Sequence, residues 1–391
     1  MSRSNDPGHF FQTTDALETT ERKSAKARNK HGNPIKLTSK ILAAGSHEWD
    51  GSDSKIYVAE AAGDIKSVDL ESRKIEKIFT QGTAPLTSVA VCPQTKTLFA
   101  GSWDKSIYAI SLGRSEATRT LTGHGDFVKC LLVTSLGDRP ILLSGGADSN
   151  IIIWDISSNG FGKQLHKLKG HTKALQDLTL DPLSLPNDAA GPADSFVLFS
   201  ASSDREIRRW HISVDRAYEL NESIDKPIRA HETSVYRLVW DSDGDLWTAS
   251  ADKTVKHLVR SRDWEADTVL QHPDFVRDVL VDERTGQVVT GCRDEEVRVW
   301  NASSGKLVCT YTGHFEEVTG LLSLGVDRVV SVSIDGTVRQ WSLNSKEMAQ
   351  YQELLAKEAI GEAKEETTIT ASTLTAEEEA ELAELMDEDD D

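Results

Sequence analysis

Ser144-Gly-Gly-Ala-Asp148-Ser-Asn-Ile151-Ile-Ile-Trp154-Asp155 is the stretch that decides the fold, because the chain repeats it. Its skeleton is a hydroxyl residue, Asp four positions on, an aliphatic after three more and Trp after another three. The skeleton returns as Ser200, Asp204, Ile207 and Trp210, as Thr290, Asp294, Val297 and Trp300, and as Ser331, Asp335, Val338 and Trp341. Fainter copies are Thr248, Asp252, Val255 and Leu258, and Ala100, Asp104, Ile107 and Ile110. Ala62, Ile65 and Val68 form the faintest, without the Asp. The six Asp residues are separated by 44, 56, 48, 42 and 41 positions. One further step back reaches Ala62, so the chain holds about seven units of roughly forty residues, a period diagnostic of repeat architectures.

A second phrase precedes the first. Gly123-His124, Gly170-His171 and Gly313-His314 are full copies, Ala230-His231 and Gln271-His272 keep the His, and Gly82-Thr83 keeps the Gly. Between His and Asp lie two short apolar runs, such as Val128-Lys-Cys-Leu-Leu-Val133 and Ile141-Leu-Leu143. Runs this short, bounded by Gly, Asp and Ser, predict strands.

The recurring Gly-His and Trp-Asp marks resemble those of the WD-repeat β-propeller family, the fold of G-protein β subunits. The resemblance implies an all-β, seven-bladed propeller of four-stranded antiparallel blades over 36–350. Trp154-Asp155 is the full Trp-Asp pair; Trp210-His211, Trp300-Asn301 and Trp341-Ser342 depart from it, and blades 1, 2 and 5 lack the Trp. The physical logic stands without the family. A single four-stranded sheet cannot cover both its faces, whereas seven packed radially cover each other and protect their edges. The ring needs a closing strand, drawn either from Lys36–Leu42 or from Lys346–Leu354.

The ends differ in kind. Residues 1–35 are expected to be a polar, basic, unstructured arm containing Arg22-Lys23-Ser-Ala-Lys26-Ala-Arg28-Asn-Lys30, a stretch compatible with nuclear import. Residues 351–391 are expected to be an acidic tail, partly helical or disordered, with Leu382, Leu385 and Met386 on one helical face. The whole chain, 391 residues, carries 44 Lys+Arg against 63 Asp+Glu, net −19. Residues 347–391 hold 16 acids and two bases, residues 1–40 hold eight bases and four acids, and −9 remains on 41–346. That balance argues against nucleic acid and anionic membranes as partners, since both demand a net basic face. No apolar run approaches the roughly 20 residues of a membrane span, and the first twenty residues lack a secretory apolar core. Cys92, Cys130, Cys292 and Cys309 are far apart with no CxxC pair, so reduced thiols are expected rather than disulfides or a zinc site. The segment 181–195, with Pro182, Pro186 and Pro192, is expected to be an exposed loop between the first two strands of blade 4.

Ser, His and Asp invite a hydrolase reading. The invitation is declined because the constellation recurs: His124, Ser144, Asp148 and Trp154; His171, Ser200, Asp204 and Trp210; His272, Thr290, Asp294 and Trp300; His314, Ser331, Asp335 and Trp341. An enzyme needs one such site, not one per repeat. The resemblance implies that each set is a buried hydrogen-bond chain linking the strands of a blade. Phosphate-loop, metalloprotease and nucleophile-elbow motifs are missing, and Gly160-Phe-Gly162-Lys163 fits a connecting turn. No catalytic residue, cofactor or metal is expected.

Function then lies in surfaces. In the family resembled, partners dock on the face formed by one set of loops, where three positions per blade point outward. These are the residue before the turn Asp and the two flanking the first strand's opening aliphatic. Mapping them singles out Trp103, Phe127, Lys129, Tyr236, Phe275, Arg277 and Arg293. Exposed aromatics beside cations have the composition of a binding hot spot, and Arg favours carboxylates. The expected ligand is a polypeptide segment mixing apolar and acidic residues; the chain's own tail is a further candidate. The reading is a non-enzymatic intracellular scaffold, cytoplasmic or nuclear, and a subunit of a larger complex. A ubiquitin-ligase substrate receptor is an alternative, weakened because Ile156 and Ser157, not Arg, follow the Trp154-Asp155 pair. A chromatin-tail reader is another, weakened by the basic cast of the mapped face.

Overall fold

The computed structural model describes residues 22–24, 26–46, 54–80, 82–113, 118–185, 194–220, 227–325 and 327–371, with side chains of the last helix described to 358. Residues 1–341 form one compact unit and 342–391 a second. The first is a ring of seven four-stranded antiparallel sheets. The innermost strands, in ring order, are Ile41–Ser46, Leu86–Cys92, Val128–Leu136, Leu175–Leu180, Val235–Trp240, Val276–Asp282 and Val318–Ser323. Six of the blades then run outward in chain order, as in Val276–Asp282, Gln287–Cys292, Val297–Asn301 and Leu307–Tyr311 of blade 6, and the seventh takes its outermost strand from Ile35–Lys36.

Burial follows radial position. The second strand of blade 3, Arg139–Gly146, is covered on both faces after its first residue, while the outer strand Lys163–Lys169 is mostly open. The apolar filling lies between blades. Ile141, Leu143 and Ile153 of blade 3 pack with Leu175, Phe196 and Leu198 of blade 4, and Phe99 and Ile107 of blade 2 pack with Leu142 and Ile152 of blade 3. Every inner strand carries a bulge one residue after its opening aliphatic, as at Val276/Asp278, which turns that residue out of the ladder. The turn after each second strand places one residue in the left-handed region: Gly63, Lys105, Ser149, Arg205, Lys253, Glu295 and Gly336.

The closing strand is N-terminal. Ile35–Lys36 pairs antiparallel with Thr337–Ser342, matching Ile35 to Val338 and Lys36 to Thr337. Ile35 and Leu37 join Val330, Val332 and Val338 of blade 7 and Ile41, Ile56 and Val58 of blade 1 in one core. Lys346–Leu354 instead lies in the helix Ser345–Ala371, whose first turn Asn344 caps by accepting from the Lys346 amide at 3.0 Å. The helix thus starts before the expected tail boundary at 351.

The basic arm requires a correction over its described part. Residues 22–24 and 26–36 are bound to the ring: Lys26 pairs with Glu295 and Glu296 at 2.9 and 2.8 Å, the Asn29 side-chain amide donates to the Gly313 carbonyl at 3.0 Å, and the Gln340 backbone amide donates to the Gly32 carbonyl at 2.8 Å. Composition registered the charge of the arm but not the carboxylates waiting for it. The loop after Leu180 opens with a short 3-10 turn, Pro182–Ser184, capped by Asp181; 186–193 lie outside the described residues, as do 372–391 and the tail contacts expected there.

Gly32 lets the closing segment reach the ring. Its φ is +65°, and a Cβ there would sit 2.6–2.9 Å from three atoms of the Trp341 ring. Gly32→Ala is expected to lower stability by about 2 kcal/mol or more through backbone strain and a displaced indole. Urea denaturation measures it, and an unchanged midpoint would refute the role of this contact in closure.

Candidate protein-interaction face

In blade 3, Trp154 Nε1 donates to Ser144 Oγ at 2.9 Å, Ser144 Oγ meets His124 Nε2 at 2.7 Å, and His124 Nδ1 meets Asp148 at 3.0 Å. Asp148 also accepts from the Gly125 amide at 2.8 Å. These hydrogen bonds outweigh partial burial and hold its carboxyl below the ordinary range. An ionised Asp148 makes His124 Nδ1 the donor, so Nε2 accepts the Ser144 proton. The chain therefore runs in one direction from indole to carboxylate. Blade 4 repeats it through Trp210, Ser200, His171 and Asp204, and blade 7 through Trp341, Ser331, His314 and Asp335, with distances of 2.7–2.9 Å. Blade 5 keeps His231, Thr248 and Asp252 without a Trp. The hydroxyl residues are fully buried, beyond reach of a substrate. His171, Asp204 and Glu206 lie close enough for a shared cation, but His171 and Asp204 bond each other and Glu206 is held by Arg208 and Arg229.

Blade 6 departs from the expected set. Trp300, Thr290 and His272 are linked at 3.0 and 2.8 Å, but Asp294 is claimed by Arg298 at 2.6 and 3.1 Å. His272 Nδ1 faces the Leu270 carbonyl at 3.2 Å instead. Arg298, four residues after Asp294, competes as a permanent cation against a neutral imidazole and wins the carboxylate. Blades 1 and 2 use other solutions. Lys66 and Glu60 form a buried ion pair at 2.6 Å in blade 1, and Tyr108 bonds Asp104 in blade 2.

The mapped face has a regular construction. The amide of the residue before each turn Asp donates to the carbonyl of the residue before the inner strand's opening aliphatic: Trp103 to Pro85, Ala147 to Phe127, Ser203 to Ala174, Ala251 to Ser234, Arg293 to Phe275 and Ile334 to Glu317, at 2.8–3.1 Å. The bulged residues Leu42, Thr87, Lys129, Gln176, Tyr236, Arg277 and Thr319 form a different tier. They turn inward and line a central cavity of about 190 Å³. So Trp103, Phe127, Phe275 and Arg293 stand on the loop surface, whereas Lys129, Tyr236 and Arg277 ring the channel mouth.

Two clusters result. Trp103, 53% exposed, packs on Phe127 with ring centroids 5.6 Å apart, and Lys129 Nζ lies 5.7 Å from the Phe127 ring. On the other side, Arg277 stacks on Tyr236 at 4.3 Å and Arg293 on Phe275 at 5.1 Å. The expected basic character is reduced, because Arg277 pairs with Glu317 at 2.7 Å and Arg293 lies 4.0 Å from Asp274. Lys129 has no carboxylate partner among the described residues. Burial, and then the charge of Arg277, lower its pKa.

Sequence reasoning missed the tier below. Arg237 lies 3.1 Å from Asp278 and 3.5 Å from Asp177, joining blades 4, 5 and 6 inside the channel. Asp177 also accepts from the Leu238 amide of blade 5, and Asp278 from the Leu321 amide of blade 7, at 2.9 and 2.7 Å. Their common register, two residues after Leu175, Val235 and Val276, was the available signal. Also missed was Arg260, stacked 5.0 Å from both Trp240 and Trp264 and bonded twice to Asp181.

The WD domain, G-beta repeat family model matches residues 73–110, 115–155, 223–257 and 305–342. An uncharacterized WD repeat-containing protein of Schizosaccharomyces pombe is 34% identical over 99% of this chain and 100% of its own length. The chain belongs to the WD-repeat family. Pre-mRNA-processing factor 19 of Bos taurus is 28% identical over 47% of this chain and 33% of its own, and the small ribosomal subunit protein RACK1 of Saccharomyces cerevisiae 27% over 52% and 60%. The WD40 β-propeller domain of Doa1 superimposes with a TM-score of 0.65 at 20% identity, covering 82% of this chain and 98% of that one, a likeness of fold. No helix among the described residues is long and apolar enough to cross a membrane.

Two outcomes follow for the WD-repeat hydrogen-bond chains. Asp148→Asn should destabilise the ring by about 1–3 kcal/mol by unmatching His124 and the Gly125 amide, with Asp294→Asn leaving the His272–Thr290 link in place; hydrogen exchange at blades 3 and 6 separates the two. Burial, with Arg298 nearby, pushes His272 down to about 4. The folded state then refuses a proton that the unfolded chain accepts below 6.5, so stability is full above that pH and falls as pH drops toward 4. For His272 the loss amounts to about 3 kcal/mol. Unfolding free energies across that window in wild type and His272→Asn check it, the variant having the shallower slope.

Proposed function

We propose that this WD-repeat chain is a non-enzymatic scaffold that holds a partner polypeptide against the Trp103 face. The observation that carries the reading is a half-exposed Trp103 seated on Phe127 next to Lys129, a cation with no carboxylate of its own among the described residues. A rigid aromatic pair offers apolar area with little entropy left to lose, and covering it removes that area from water. The Lys129 ammonium at the channel mouth selects for an acidic side chain beside the apolar contact. The ligand is therefore a segment pairing an apolar residue with a carboxylate, and the chain acts inside the cell as a subunit of a larger assembly. Tyr236, Phe275, Arg277 and Arg293 extend the face, with Arg277 already half-satisfied by Glu317.

Affinity capture from the native cell tests this with wild type and a Trp103→Ala, Lys129→Gln double variant. Loss of two hot-spot contacts should weaken partner binding about a hundredfold, with circular dichroism and melting temperature unchanged. A folded variant that captures the same set in the same amounts would overturn the assignment of this face.

A further inference from the structure

The turn of blade 6 is acidic where its counterparts are not. Glu295 occupies the left-handed turn position held elsewhere by Gly63, Lys105, Ser149, Arg205, Lys253 and Gly336. Glu296 follows it, and blade 7 contributes Glu316, which pairs with Lys23 of the basic arm. Among the described residues of the ring no cation forms an ion pair with these carboxylates, since Arg298 is committed to Asp294. The seam between blades 4 and 5 makes the contrast. There Glu206, at the same turn position as Glu296, is neutralised by Arg208 and by Arg229. The residue in blade 7 that corresponds to Arg229 is Thr312. The ring leaves an acidic seam and the arm fills it: Arg22 pairs with Glu295 at 2.9 Å, Lys23 with Glu316 at 2.8 Å, and Lys26 with Glu295 and Glu296 at 2.9 and 2.8 Å. Glu295 is buried beneath them, with a side chain 6% exposed.

The occupant is held unevenly. Residues 29–36 are fixed by Arg339, which donates to Asn29 Oδ1 at 2.8 Å and to the His31 carbonyl, and by the pairing of Ile35–Lys36. Arg22, Lys23 and Lys26 are held to the ring by side-chain ion pairs. Arg22 and Lys23 remain partly open to water, where such a pair contributes about 1 kcal/mol or less. Their occupancy comes from the tether, which keeps them at an effective concentration of about millimolar.

We propose that the seam between blades 6 and 7 is an acceptor site for a basic polypeptide segment with cations at i, i+1 and i+4 of a helical turn, and that residues 22–26 are an exchangeable occupant which a partner's segment displaces. The seam is separate from the Trp103 cluster and does not depend on that reading. The test uses the full chain, wild type and an Arg22→Gln, Lys23→Gln, Lys26→Gln variant, with a fluorescein-labelled synthetic peptide of residues 20–31 read by anisotropy at low salt. The variant should bind the peptide at least about tenfold more tightly than wild type, because the tethered competitor is gone. Adding Glu295→Gln, Glu296→Gln and Glu316→Gln to the variant should abolish that binding. Equal binding to wild type and variant, indifference to the three glutamines, or no binding by the variant up to millimolar peptide would each overturn the proposal. A measurement on the unaltered chain guards against misfolded variants. Raising NaCl tenfold should speed hydrogen exchange at residues 22–26 while Ile35 stays protected, and an exchange rate blind to salt would count against the exchangeable arm.

Discussion

Every blade of this ring has two apolar faces and no means of covering either alone. That constraint explains why the core is distributed between sheets rather than within one. Leu175, Phe196 and Leu198 protect blade 3 as much as blade 4, and Ile35 and Leu37 serve blades 7 and 1 together. A closed ring turns this mutual dependence into stability, because no seam is left as an edge. It also explains the buried polar chains. Four strands held only by ladders would slide under the demands of two neighbours. A path from Trp154 through Ser144 and His124 to Asp148 ties the third, second and incoming segments at fixed positions.

Much of this was legible in the residues. The Asp spacing gave the number of blades, and the position of Trp103 before Asp104 placed it on the loop surface. What escaped was whatever depends on choice between partners. Asp294 sits in register for His272, yet Arg298 takes it, and no spacing rule ranks a guanidinium four residues away against an imidazole more than twenty residues back. Arg277 looked like available charge because Glu317 belongs to the next blade. The arm looked free because its counter-charges lie roughly 270–290 residues away. Local pattern specifies the strands and turns; the pairing of charges is set by the ring once it exists.

Charge is accordingly handled seam by seam. Blades 4 and 5 use Arg208 and Arg229 against Glu206, the channel uses Arg237 against Asp177 and Asp278, and blades 6 and 7 borrow from the arm. A net charge of −19 therefore says little about any one patch. Lys129 has no carboxylate partner among the described residues, a short way from Arg277, which is paired with Glu317.

The closing strand has a consequence for how the molecule comes into being. Ile35 and Lys36 are made well before their partners Val338 and Thr337, which follow roughly 300 residues later, about 15–60 s at ordinary elongation rates. Throughout that interval the early blades expose one apolar face and an unpaired edge. The last seam can form only after Thr337–Ser342 has been made, and it must find a segment synthesised roughly 300 residues earlier. The nascent chain is thus most vulnerable to association with its neighbours on a polysome, and a factor that shelters the waiting segment would act before the finished protein has any partner of its own.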